Sequence, residues 1–199
     1  MKKILTLLSI LSFAFLFSQE ETEYINNPLP AKYVLKTSKD TINTHIVGSY
    51  AFKKNHFTAD TFLKNIKTEN DEVKTKVPVE TIKYLEITDF DRKVRKFINS
   101  DRFPELKLGS RMLEVLFQGK RTLVLREEYN VNIYGNTGAT YYTFDKRELL
   151  KKGGKDKVLK ERLEKYPDLL ERYKRIKKDA EYYELLTDYE KKLEASLSL

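Results

Sequence analysis

Two histidines, His45 and His56, are the residues of this chain best equipped for chemistry, and they stand eleven positions apart. Imidazole titrates near neutrality and ligates metals, so the pair joined by Asp40 or Asp60 would suit a hydrolase or nuclease centre. Nothing in the spacing selects that arrangement over one histidine on a strand face and another in a loop. Asp89-Phe90-Asp91 offers two carboxylates to a hard cation, but Arg92 and Lys93 follow at once, which favours a turn. There is no G-x-S-x-G, no H-E-x-x-H, no glycine-rich phosphate loop and no EF-hand loop. Cysteine is absent too, which removes thiol nucleophiles, iron–sulfur clusters, Cys-ligated zinc and disulfides. No catalytic, metal-binding or cofactor-binding residue is assigned, and no cofactor is expected. The expectation is a non-enzymatic binding or structural module, with two alternatives: a periplasmic or secreted hydrolase or nuclease using His45 or His56 with acidic neighbours, and a binder of anionic glycan or nucleic acid through basic clusters.

Cations supply the other candidate chemistry. Arg92, Lys93, Arg95 and Lys96 form one cluster, and Arg172, Lys174, Arg175, Lys177 and Lys178 form a second. Such clusters can hold phosphates or other anionic groups. Tyr182, Tyr183 and Tyr189 follow the second cluster and could stack on sugars or bases, although at helical spacing they read as packing residues. The formal charge is +8, or +6 without Lys2 and Lys3, and residues 19–144 and 145–199 each carry +3. Neither half is a basic tail, and Asp89, Asp91 and Asp179 dilute the clusters. Nucleic acid is therefore not the expected partner. An envelope protein or an anionic glycan is.

The elements that must position these groups follow from the chain's patterning. Lys2-Lys3 and an apolar run to Phe17 have the form of a secretory signal, too short for a permanent span, with cleavage between Ser18 and Gln19. Residues 1–18 are thus read as a signal peptide, with a periplasmic, surface or secreted destination. Residues 19–31 read as a mobile leader and 32–199 as one α+β domain. Within it, 32–144 is β-rich, with about seven or eight strands in an antiparallel, curved sheet. Asn130 to Thr140 reads as a surface loop. Met112 to Glu127 is expected to be a central hairpin turning at Gly119-Lys120 in a type II′ turn, so that Leu116 faces Leu123. After Gly153-Gly154, residues 155–199 carry three amphipathic stripes, the second opened by Pro167 and the third by Asp179. Asp40-Thr41-Ile42 has the form of a Bacteroidota O-glycosylation acceptor, and also of an ordinary strand start. Leu113 to Gly119 coincides with a picornaviral protease site, here inside an apolar hairpin and followed by Lys120.

Four short stretches resemble a group of secreted proteins of flavobacteria and related Bacteroidota for which no activity is established. Tyr33-Val34-Leu35 with Lys39-Asp40-Thr41-Ile42 is similar to their opening hairpin, with Lys39 and Thr44 where glycines are usual. Val77-Pro78-Val79-Glu80-Thr81-Ile82 resembles their step between strands, and Leu116-Phe117-Gln118-Gly119-Lys120 their central hairpin. Tyr166-Pro167-Asp168-Leu169 resembles their helix start. The resemblance implies export and an α+β fold, and no chemistry.

Overall fold

A computed structural model describes residues 28–48, 62, 64–132, 135–144 and 148–197. Among them ten strands precede three helices. The strands are β1 (Leu29–Leu35), β2 (Thr41–Val47), β3 (Asn65–Asn70), β4 (Val73–Pro78), β5 (Ile82–Thr88), β6 (Val94–Asn99), β7 (Met112–Gln118), β8 (Leu123–Asn132), β9 (Gly135–Phe144) and β10 (Glu148–Lys151). The helices are α1 (Lys152–Leu163), α2 (Pro167–Arg175) and α3 (Asp179–Leu197). One antiparallel sheet holds all ten strands in the order β10-β9-β8-β7-β6-β5-β1-β2-β3-β4, with β10 and β4 as its open edges. Register shifts at Val34/Leu35, Val115/Phe117 and Glu128/Asn130 supply the bulges that bend such a sheet. The α+β class and the order of strands before helices are as the sequence implied.

The strand count is not. Val94–Asn99 is a strand that reads in sequence as a basic cluster, because Arg95 points inward where an apolar residue is usual. The Asn/Gly-rich stretch read as a loop is instead the far half of the long β8–β9 hairpin, paired from Leu123↔Thr143 to Asn132↔Gly135. Leu29, Pro30 and Ala31 leave the supposed leader to begin β1, which is held between β2 and β5. Helix α1 starts at Lys152, so Gly153 and Gly154 lie in its first turn and do not precede it. The signal segment lies outside the described residues.

Because side chains alternate along a strand, each face of the sheet collects its own core. One face carries Leu29, Tyr33, Ile46, Ile66, Leu85, Ile87 and Phe97 from the strands, plugged by Phe62, whose ring meets Phe97 edge-on at 5.3 Å. Further along this face, Val124, Tyr142 and Phe144 receive the helices through Leu159, Leu163, Leu169, Tyr182, Leu185, Leu186 and Tyr189. The opposite face packs Ile98, Leu113, Leu125 and Tyr141 under Phe103, Leu106 and Leu108 of the β6–β7 connection. The β7–β8 hairpin is therefore central and covered on both sides. Its register differs from the one expected by two residues near the turn, where Gln118 faces Leu123 and Phe117 faces Val124, and by one beyond the Leu116 bulge, where Val115 faces Leu125. The turn centres on Lys120-Arg121, closed by the Gly119 N–H donating to the Thr122 carbonyl at 2.8 Å.

Candidate functional site

Three lysines of the second basic cluster share one groove, whereas the first cluster gives only Lys96 to a groove, beside Val115–Lys120. Pro167 opens α2, where its missing N–H removes nothing from the helix, and Leu169 anchors that helix in the core. The α2–α3 connection, Ile176-Lys177-Lys178, then turns the chain back over α1. Asp156, Lys160, Tyr173, Lys174, Lys177 and Lys178 line the resulting groove, of about 470 Å³, with Tyr182 at its base. The Tyr173 hydroxyl donates to the Asp156 carboxylate and so ties α2 to α1. Burial, and then this bond, push the Tyr173 phenol well above its ordinary range. Lys174 is engaged by Glu171 at 2.5 Å, but Lys160, Lys177 and Lys178 form no ion pair among the described residues. Arg172 lies away from the groove and bridges α2 to α3 through Asp188 at 2.7 Å and Glu184 at 3.3 Å. Arg175 is exposed at the end of α2.

The tyrosines of the cluster pack. Tyr182 meets Tyr142 and Tyr183 edge-on at 5.9 Å, and Tyr189 meets Tyr166 in the same way. Tyr183 stacks on Phe117 at 6.2 Å. Burial pushes the Tyr142 and Tyr183 phenols up to about 12.

The first cluster is dispersed by the pleat. Arg92 has φ 62° and closes a tight turn by donating its N–H to the Asp89 carbonyl at 2.8 Å. Lys93 is exposed and paired with Asp91 at 2.6 Å. Arg95 leaves the candidate anion site altogether. It is 7% exposed, and grips Glu114 of β7 in a two-pronged bond at 2.7 and 2.9 Å, with Asp89 at 3.3 Å. Arg126 of β8 reaches the same Glu114 carboxylate at 2.5 and 3.1 Å. Burial pushes the Glu114 carboxyl up, but Arg95 and then Arg126 outweigh it and hold it below the usual carboxylate range. Lys96 stays exposed on the other face, 3.9 Å from Glu86. The Asp89–Asp91 segment is thus a turn whose carboxylates are engaged by Arg95 and Lys93.

Glu190 carries a role that no sequence motif announces. Its side chain on α3 is 8% exposed, and its carboxylate accepts the backbone N–H groups of Lys120 at 2.7 Å, Arg121 at 3.0 Å and Thr122 at 2.5 Å. This latches the β7–β8 turn to the helices. It also explains Gly119, where a Cβ would sit 2.5 Å from the Glu190 Cδ. The glycine is there for close approach and not for a left-handed turn, since it is not among the positive-φ residues.

Of the histidine constellation, His56 and Asp60 lie outside the described residues. His45 is exposed on β2 between Pro30 and Glu69. Asp40 sits in the β1–β2 turn and holds Ser38 at 3.0 Å. Five residues of extended chain, roughly 16 Å at ~3.3 Å per residue, separate it from His45. Among the described residues no three His, Cys, Asp or Glu side chains gather as a metal site, and no helix is long and apolar enough to cross a membrane. Thr41 is exposed at the start of β2. No protein-family model, no curated protein and no solved structure matches the chain.

Proposed function

We propose that this chain is an exported, non-enzymatic binding module of the cell envelope, with the groove between α1, α2 and the α2–α3 connection as its binding surface. The observation that carries the reading is the division of labour among its charges. Asp89, Arg95, Glu114, Arg126 and Glu190 are consumed in joining strands and docking helices. Lys160, Lys177 and Lys178 converge on a concave surface, and their ammonium groups form no ion pair among the described residues. A buried ion pair serves architecture; a solvated cation at a groove remains available to a ligand.

Export rests on Lys2-Lys3, the apolar run to Phe17 and the small residue Ser18 before Gln19. Mass spectrometry of fractionated cells tests it: the chain should occur in envelope or secreted material with an N-terminus near Gln19. Cytoplasmic chain that retains Met1 would overturn it.

A further inference from the structure

Resting on that binding-module reading, we infer that the groove takes an anionic sugar unit, a hexose-sized ring bearing a phosphate or a carboxylate. The lining has three kinds of chemistry, and a sugar acid or sugar phosphate needs all three. Lys160, Lys177 and Lys178 are cations without an ion-pair partner among the described residues, and they can surround one anionic group in a charge-assisted contact. Asp156 and Asp179 line the same groove, and a carboxylate accepts the hydroxyl hydrogens that a sugar ring presents. A bare anion gains nothing from those carboxylates and is repelled by them, so the lining selects an anion attached to a polyol. Tyr173 is half-buried on one wall, its hydroxyl fixed to Asp156, and offers the amphipathic surface that the apolar edge of a sugar ring covers. A volume of about 470 Å³ falls within the ~300–1,000 Å³ of small-molecule sites.

Nucleic acid is disfavoured by the same geometry. Tyr182 and Tyr189 are packed against other rings and buried, so no row of free aromatic faces is available for successive bases, which is what single-strand binding requires. The lysine-lined path that a longer polyanion would follow is interrupted by Asp156 and Asp179.

The test is a titration of the isotope-labelled full chain, followed by amide NMR, with glucosamine 6-phosphate and glucuronate. Inorganic phosphate, glucose and a thymidine oligonucleotide run in parallel. Expected are saturable shifts confined to residues 156–160 and 173–182 with at least one of the two anionic sugars, and which one answers identifies the acid group. Phosphate alone and glucose alone should bind at least tenfold more weakly. The exposed double variant Lys177→Glu/Lys178→Glu should lose tenfold or more in affinity with an unchanged melting temperature, and Lys160→Gln should lose severalfold. The double variant Arg92→Glu/Lys93→Glu should bind as the parent does. The inference is overturned by shifts elsewhere, by phosphate binding as well as the sugars, by undiminished affinity in the lysine variants, or by no saturable binding of either sugar. Tighter binding of the oligonucleotide at the same residues overturns it in favour of nucleic acid. Failure here leaves the export test untouched, because the N-terminal mass reads that separately.

Discussion

Replacing Glu190 by Ala removes the acceptor for three backbone N–H groups in one step, and its consequences can be worked from the geometry. Thr122 is 1% exposed, so its N–H loses its partner without water to replace it, at ~1–3 kcal/mol for an unmet buried donor. Lys120 and Arg121 lie nearer solvent, and their N–H groups recover part of a charged hydrogen bond from water. The sum is about 3 kcal/mol, a sizeable fraction of the ~5–15 kcal/mol that holds a domain folded. At ~2–4 °C per kcal/mol for a chain of this size, the melting temperature should fall by roughly 6–12 °C. Gly119→Ala attacks the same latch from the other side. Its Cβ, placed 2.5 Å from Cδ and 2.5 Å from Oε1 of Glu190, must push the carboxylate off its three donors, at about 2 kcal/mol. In a Glu190→Ala background nothing remains to be pushed, so adding Gly119→Ala should cost under ~0.5 kcal/mol. A double-mutant cycle by urea denaturation should therefore give a coupling of at least about 1.5 kcal/mol, where independent sites add within ~0.5. Additive losses would refute the reasoning, and would mean that Gly119 serves the turn's own backbone.

The buried Thr122 Oγ1 has no hydrogen-bond partner among the described residues, so Thr122→Val should raise stability by about 1 kcal/mol in the same urea assay. Asp71 and Glu72, with φ 47° and 65° at the β3–β4 turn, hold left-handed backbone that asparagine and glycine adopt with less strain. Asp71→Asn/Glu72→Gly should raise the melting temperature by a few degrees at about 1 kcal/mol. Glu114 has a carboxyl held lower when folded than unfolded. Its contribution is therefore fully present above the ordinary carboxylate range and fades as pH falls through the depressed value. An acid melting series should show Glu114→Gln less stable than the parent at neutral pH and nearly level with it at the acid end. The picornaviral protease should leave the folded chain intact at Gln118–Gly119, since Glu114–Gln118 is laddered to β8 and Gly119 lies under Glu190. Rapid cutting of protein that circular dichroism reports as folded would contradict that pairing.

How much of this was legible depended on how each element announces itself. The helices were read at sight. Leu159 and Leu163, Leu169, then Tyr182, Leu186 and Tyr189 recur at the helical period and are buried as that period requires. The strands were legible where polar and apolar residues alternate, and lost where they do not. In β6 the inward position holds an arginine whose charge is cancelled by Glu114, nineteen residues away, which no local pattern contains. In the β7–β8 hairpin the expected register trusted a glycine to mark a left-handed turn position, whereas Gly119 is spacing for a carboxylate seventy-one residues on. The groove was half visible. The cations of α2 and the α2–α3 connection stand together in sequence, but Lys160 and Asp156 join them only because α1 packs alongside.

That packing ties the proposed binding surface to residues remote from it. The sheet face that receives the helices carries two apolar clusters, and between them stands the Arg95–Glu114–Arg126 group across β6, β7 and β8. A slip of one residue in β7 would turn Glu114 to the opposite, apolar face and strand both guanidinium groups. The ion group therefore specifies register more than it adds stability. Correct register brings the 119–122 turn to the place where Glu190 can accept its N–H groups, and Glu190 fixes the long helix α3 against β7 and β8. Helix α2 is then held to α3 by Arg172 with Asp188 and by Lys192 with Asp168 at 2.8 Å, and to α1 by Tyr173 with Asp156. Each step hands an orientation to the next. The lysines converge at the end of that chain of contacts, on helices whose exposed faces are free to carry charge because the buried polar groups already decide where those helices lie.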